Sequence, residues 1–163
     1  MFLARSKLPG QALALLCLGS IAALAVVLVA QHAFGVKPCP WCVMQRAIVL
    51  LIAIVAGLGW LLQRQTALRS AALGLSLLLS LSGVAAAYYQ WDVASKLASC
   101  DMTLADRVVT ALDLETLAPK LFMITASCAD AAKYRLLALP YEVWSGLMFL
   151  GFAALALAAL RKR

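Results

Sequence analysis

Four long runs almost free of charge limit this chain to one kind of surroundings. They cover residues 8–36, 43–62, 70–91 and 143–160, and Arg46 is the one formal charge inside them. A helix needs roughly 20 residues to cross about 30 Å of hydrocarbon. Each run is long enough, the second and fourth narrowly. With 65% hydrophobic and 13% charged residues, the chain holds more apolar surface than a soluble core of this size can hide. The pattern predicts an all-α membrane protein of one domain, a four-transmembrane-helix bundle. The helices are expected at about 10–33, 43–62, 70–90 and 143–160, with loops at about 34–42 and 91–142.

The charges orient these spans. Arg5 and Lys7 precede the first run, Arg64 and Arg69 separate the second from the third, and Arg161, Lys162 and Arg163 follow the fourth. With four spans these cations share one side. Every acid (Asp92, Asp101, Asp106, Asp113, Glu115, Asp130 and Glu142) lies between the third and fourth runs. The positive-inside rule then puts both termini in the cytoplasm and the long loop outside. The net charge of +7 is thus a topology signal, and no nucleic-acid partner is expected. The basic start of the first run suits a signal peptide, but its apolar stretch is far longer than an h-region and no clear A-x-A site follows. It is expected to stay as a helix.

The long loop is where polar sequence concentrates. Leu104, Val108 and Leu112 recur every four residues, which fits a short amphipathic helix. It either lies on the membrane surface or folds against its neighbours. Pro140 marks re-entry to the fourth helix. Tyr88, Tyr89, Trp91, Tyr141 and Trp144 sit at the expected outer helix ends, as an aromatic belt does. Ser76, Ser80 and Gly83 on the third helix allow close packing.

Five cysteines remain to be explained. Cys17, inside the first span, reads as a small hydrophobe. Cys39, Cys42, Cys100 and Cys128 all fall on the outer side, where disulfides persist. Cys39-Pro40-Trp41-Cys42 is a C-x-x-C at the mouth of the second helix. Unpaired N–H groups and the positive end of the helix dipole favour a thiolate at Cys42. Arg46, four residues on, shares its helical face. A cation there either snorkels to the interface or supports a reactive sulfur. If Cys100 and Cys128 pair, they close a loop of about 29 residues, worth roughly 3.5 kcal/mol by chain entropy. Such a pair is either a structural staple or, with the C-x-x-C, one half of an exchange relay.

The run Gln31-His32, Lys37-Pro38-Cys39-Pro40-Trp41-Cys42 and Arg46 closely resembles the disulfide bond formation protein B (DsbB) family. The likeness continues through Cys100-Asp101, Cys128-Ala129-Asp130 and the Pro-containing stretch leading to Trp144. It implies redox-active disulfides Cys39–Cys42 and Cys100–Cys128. It also implies a soluble thioredoxin-like oxidase, DsbA, as the protein partner, and a membrane quinone (ubiquinone or menaquinone) as electron acceptor. In that cycle DsbA attacks Cys100, released Cys128 attacks Cys39, and Cys42 beside Arg46 engages the quinone. Family members often carry a quinone-holding histidine near the outer end of helix three. Here Tyr88, Tyr89, Gln90 and Trp91 stand there, so Gln90 becomes a candidate partner for a quinone carbonyl. His32, the only histidine, reads as an interfacial polar residue or a ligand. The protein is expected to act as a monomer.

Three rivals follow from the same cysteines. An enzyme resembling vitamin K epoxide reductase would carry its C-x-x-C after the loop pair, whereas here it comes first. A zinc-binding protein would favour paired knuckles or Cys/His spacing, which Cys100 and Cys128 lack. A membrane protein with two inert disulfides is the third.

Overall fold

A computed structural model describes residues 7–96, 103–136 and 139–162. Helix α1 (Leu8–Phe34) starts with Pro9 in its first turn and ends at Gly35. Gly35 takes the left-handed conformation (φ 65°), and Val36 N–H returns to the Ala30 carbonyl at 3.2 Å. Only a residue without Cβ adopts that turn without strain. The chain then runs extended through Lys37 and Pro38 into α2 (Pro40–Leu61). Helix α3 (Thr66–Asp92) follows after a short turn, and a single 3-10 turn covers Ala94–Lys96.

Four short helices make up the described part of the connection to the last span. They are α4 (Leu104–Ala111), α5 (Leu114–Leu117), α6 (Pro119–Phe122) and α7 (Cys128–Ala131). A minimal antiparallel ladder, β1 (Arg135–Leu136) with β2 (Leu139–Pro140), pairs Arg135 with Pro140 and leads into α8 (Tyr141–Arg161). Pro140 caps α8, where the chain re-enters the bundle.

Four helices, α1, α2, α3 (with the 3-10 turn) and α8, are long and apolar enough to cross a membrane. They are apolar around most of their circumference, as lipid-facing helices must be. Leu13 and Leu16 of α1, Ile52 of α2, Leu73 of α3 and Phe149 of α8 are buried at their common core, while Leu18, Val26, Leu58, Leu78 and Leu150 point outward. Small residues set the spacing. A Cβ on Gly83 would collide with the Phe149 ring, and Ser76 and Ser80 on the same seam are fully buried. Contacts are densest between α3 and α8, α1 and α2, and α2 and α3, and sparser between α1 and α8.

Helix α4 buries a different stripe from the one its leucines mark. Ala105 and Val109 are fully buried, Val109 with Val43 of α2 and Phe122 of α6, while Leu104 and Leu112 are exposed. Thr103 and Asp106 cap it reciprocally, the Thr103 N–H donating to Asp106 Oδ2 at 2.8 Å. The helix folds against its neighbours through its small residues and keeps its larger apolar ones on the outside.

Candidate functional site

Cys39 is the N-cap of α2. Its sulfur accepts the Cys42 N–H at 3.2 Å, and Pro40 occupies the first helical position, where no N–H is needed. This arrangement turns Cys42 inward to 2.6 Å from Cys39 across their Sγ atoms. Cys39, Cys42 and Cys128 are free thiols, all buried.

The third sulfur is delivered by the main chain. Thr125 N–H and Ala126 N–H both donate to the Pro38 carbonyl, at 3.0 and 3.2 Å. Ser127 then caps α7 by accepting the Asp130 N–H, which seats Cys128 at the head of that helix. The Cys128 side chain is buried in one cluster with Cys39, Trp41 and Cys42. Burial, followed by the hydrogen bonds to Cys128 and Cys42, pushes the Cys39 thiol well above its usual range. The hydrogen bond from Cys39 holds the Cys128 thiol below its usual range, against the opposing effect of burial. Within this pair the proton is held more tightly by Cys39 than by Cys128.

On its other side Cys42 meets an amide. Gln90 of α3, 1% exposed, donates from Nε2 to Cys42 Sγ at 3.4 Å. Gln45 of α2 in turn donates to Gln90 Oε1 at 2.8 Å. Arg46 is buried, yet its hydrogen bonds do not go to sulfur. Its Nη1 donates to Gln31 Oε1 at 2.6 Å and to the Leu121 carbonyl at 2.9 Å, while Nε is left without a partner. Arg46 thus ties α1 and α6 to α2. His32 Nε2 lies 3.3 Å from the Lys120 carbonyl, so both members of Gln31-His32 take part in holding α6.

Below this tie, a cavity of about 280 Å³ opens between α1, α2 and α8. Its walls are mostly apolar, with Leu24, Val27, Met148 and Phe149 among them. Gln45, Arg46, Tyr141, Trp144 and Ser145 bring polar groups. Two of those carry orphaned buried atoms, Arg46 Nε and Gln45 Oε1. An apolar cavity lined by residues that hold one unpartnered donor and one unpartnered acceptor fits a hydrophobic ligand bearing oxygen.

The structure therefore brings together Cys39, Cys42, Cys128 and Gln90, with Arg46 on the cavity wall. Gln90 is placed against Cys42 and is not among the residues lining the cavity. Cys100 lies outside the described residues, and with it the expected Cys100–Cys128 pair. Cys17 packs against Gly57 in the body of the bundle. Gln45 went unread in the sequence. Its signal was an amide inside an apolar run, a costly residue that needs a partner in a membrane span.

These features define a class: a four-helix membrane protein with a thiol-exchange site at one end of its bundle. The chain matches the family model "Disulfide bond formation protein DsbB" over residues 9–159, and it belongs to that family. Its relatives include proteins named disulfide bond formation protein B. One from Polaromonas naphthalenivorans (strain CJ2) is 34% identical, covering 98% of this chain and 94% of that protein. Another from Dechloromonas aromatica (strain RCB) is 34% identical, covering 93% and 92%. A third from Nitrosomonas europaea is 32% identical, covering 88% and 87%. The protein is a disulfide oxidoreductase of the membrane.

Proposed function

We propose that the protein reoxidises a soluble thioredoxin-like dithiol oxidase, DsbA, outside the cytoplasmic membrane and passes the electrons to a membrane quinone, ubiquinone or menaquinone. One observation carries this reading. Cys39, Cys42 and Cys128 share one buried cluster, with the Cys39 and Cys42 sulfurs 2.6 Å apart, so a disulfide can move inward by exchange between neighbouring sulfurs. One-sided cations and acids support the orientation, with both termini cytoplasmic and the cysteines periplasmic.

The exchange balances at each sulfur. A thiolate of the partner attacks Cys100 of the Cys100–Cys128 disulfide and frees Cys128 as a thiolate. Cys128 attacks Cys39, the Cys39–Cys128 bond forms, the Cys39–Cys42 bond breaks, and the electron pair stays on Cys42. The partner's second thiol then displaces Cys100 and leaves as a disulfide. Cys100 attacks Cys128, restoring their bond and returning Cys39 as a thiol. Cys39 and Cys42 must finally lose two electrons and two protons to pair again. A quinone, when bound, supplies that acceptor. Arg46 and Gln45 would hold its oxygens, and the apolar wall from α1 and α8 would hold its ring and exclude water.

The test is anaerobic quinone reduction by purified protein with a reduced thioredoxin-like donor. One quinone reduced per donor disulfide formed is expected. Donor oxidation without quinone loss would remove the quinone from the reading, and no donor oxidation would remove the protein partner.

A further inference from the structure

We propose that Gln90 is the donor that stabilises charge on the Cys42 sulfur as it leaves Cys39, and that Gln45 is the positioning residue that keeps the Gln90 amide turned that way. The proposal rests on the relay above, in which Cys42 is the leaving group of the inward step. At that step the electron pair of the Cys39–Cys42 bond comes to rest on Cys42 Sγ, the atom that Gln90 Nε2 faces at 3.4 Å. A better-stabilised leaving thiolate departs faster.

Three observations make the amide a built donor. Gln90 and Gln45 are both almost fully buried, at 1% and 2% exposure, so neither can turn to water for its hydrogen bonds. An amide offers donors at one end and an acceptor at the other. Because Gln45 Nε2 occupies Gln90 Oε1 at 2.8 Å, the nitrogen end of Gln90 is the one presented to sulfur. Finally, the Arg46 Nη1 that could have served Cys42 is committed to Gln31 and to the Leu121 carbonyl. The charged and titratable groups around Cys42 are Cys39 and Arg46 on the same helix end, Cys128 on α7 and Tyr141 on α8. Among the groups that reach its sulfur, Gln90 is a neutral donor: it steadies a thiolate without pairing with it permanently.

The test equilibrates quinone-free, full-length protein in detergent against small dithiol redox buffers. Acid quenching and peptide mapping then give the Cys39–Cys42 disulfide fraction. Gln90→Met keeps the side-chain volume and removes the donor. It should shift the equilibrium toward the disulfide about tenfold at pH 8, which is about 30 mV for this two-electron couple. Gln45→Met should give a smaller shift in the same direction, and Gln90→His, which restores an N–H, should recover most of the loss. The shift should vanish as the pH falls far enough to protonate Cys42 in every protein. No shift in Gln90→Met, or one of equal size at every pH, would overturn the proposal. Should Gln90→Met fail to fold, Gln45→Met decides by the same pH criterion. The relay itself is judged separately by quinone reduction, so a protein that shows these shifts but reduces no quinone keeps the hydrogen bond and loses the relay.

Discussion

The four spans and the segment that connects the last two are held by different forces. The spans interlock through buried apolar side chains and close approaches such as Gly83 against Phe149. Residues 103–136 also bury some apolar surface, chiefly Val109 and Phe122. Yet what fixes their position over the thiols is a handful of main-chain carbonyl contacts: Pro38 with Thr125 and Ala126, Leu121 with Arg46, and Lys120 with His32. A body secured by packing opens only at large cost, whereas a cover secured by a few hydrogen bonds opens locally. The division suits the proposed exchange, in which the packed body keeps its shape while the segment that bears Cys128 moves.

The sharpest way to break this comparison is at the thiols. Cys42→Ser should abolish turnover with any thiol donor, because the body then lacks its redox pair. Cys128→Ser should abolish oxidation of the protein donor alone, leaving quinone reduction by a small dithiol intact. Coupled assays with both donors decide it. If Cys128→Ser also blocked the small dithiol, cover and body would not be separable.

Next in size is stability. Phe149→Ala should destabilise the spans by about 3–5 kcal/mol, seen as a lower thermal midpoint in detergent. Val109→Ala on α4 removes two buried methyl groups and should cost roughly 1.5 kcal/mol, read as faster proteolysis of the connecting segment with the span midpoint nearly unchanged. Equal shifts of the midpoint would mean that the two regions unfold as one.

Arg46 joins the regions, so its loss should register in both. Arg46→Met should raise the apparent KM for quinone roughly tenfold, the worth of a hydrogen bond to a charged group, and should increase hydrogen exchange at residues 119–126. Arg46→Lys should recover only part of either effect, since lysine lacks the planar fork. A KM effect without any change in exchange would confine Arg46 to the cavity.

The smallest effect concerns acidity across the seam. The Cys128 thiol is held low chiefly by the hydrogen bond from Cys39. In Cys39→Ala that donor is gone and only the weaker pull of the Trp41 backbone still opposes burial, so the thiolate is less favoured. The pH midpoint for Cys128 alkylation should move upward, and its rate at neutral pH should fall. An unchanged midpoint would mean that Cys128 owes its acidity to its own segment.

Much of the body could be read from the chain, because twenty apolar residues in a row have few other destinations. The proximity of Cys39 and Cys42 at the start of α2 was legible because the C-x-x-C is carried by adjacent residues. Helix ends were harder. Helix α2 begins at Pro40, ahead of the apolar run at 43, because a cysteine sulfur takes the place of the usual Ser, Thr, Asp or Asn cap. On α4 the leucine periodicity marked a real helix, but periodicity does not say which face meets the protein when Ala105 and Val109 offer a second stripe. Gln90 stood out as a replacement for the family's usual histidine and was read as a candidate partner for a quinone carbonyl. Its placement against Cys42 depends on how α2 and α3 pack, a contact between residues 48 apart in sequence.

The Pro38 carbonyl also sets which sequence changes the protein can tolerate. Because it receives the N–H groups of Thr125 and Ala126, the approach of Cys128 to Cys39 is encoded in backbone shape. Side chains at 125 and 126 can drift between lineages while the sulfur-to-sulfur handover keeps its register. The exception is proline, which has no N–H to offer. A saturation scan of those two positions should therefore return a nearly flat tolerance profile with a single missing residue.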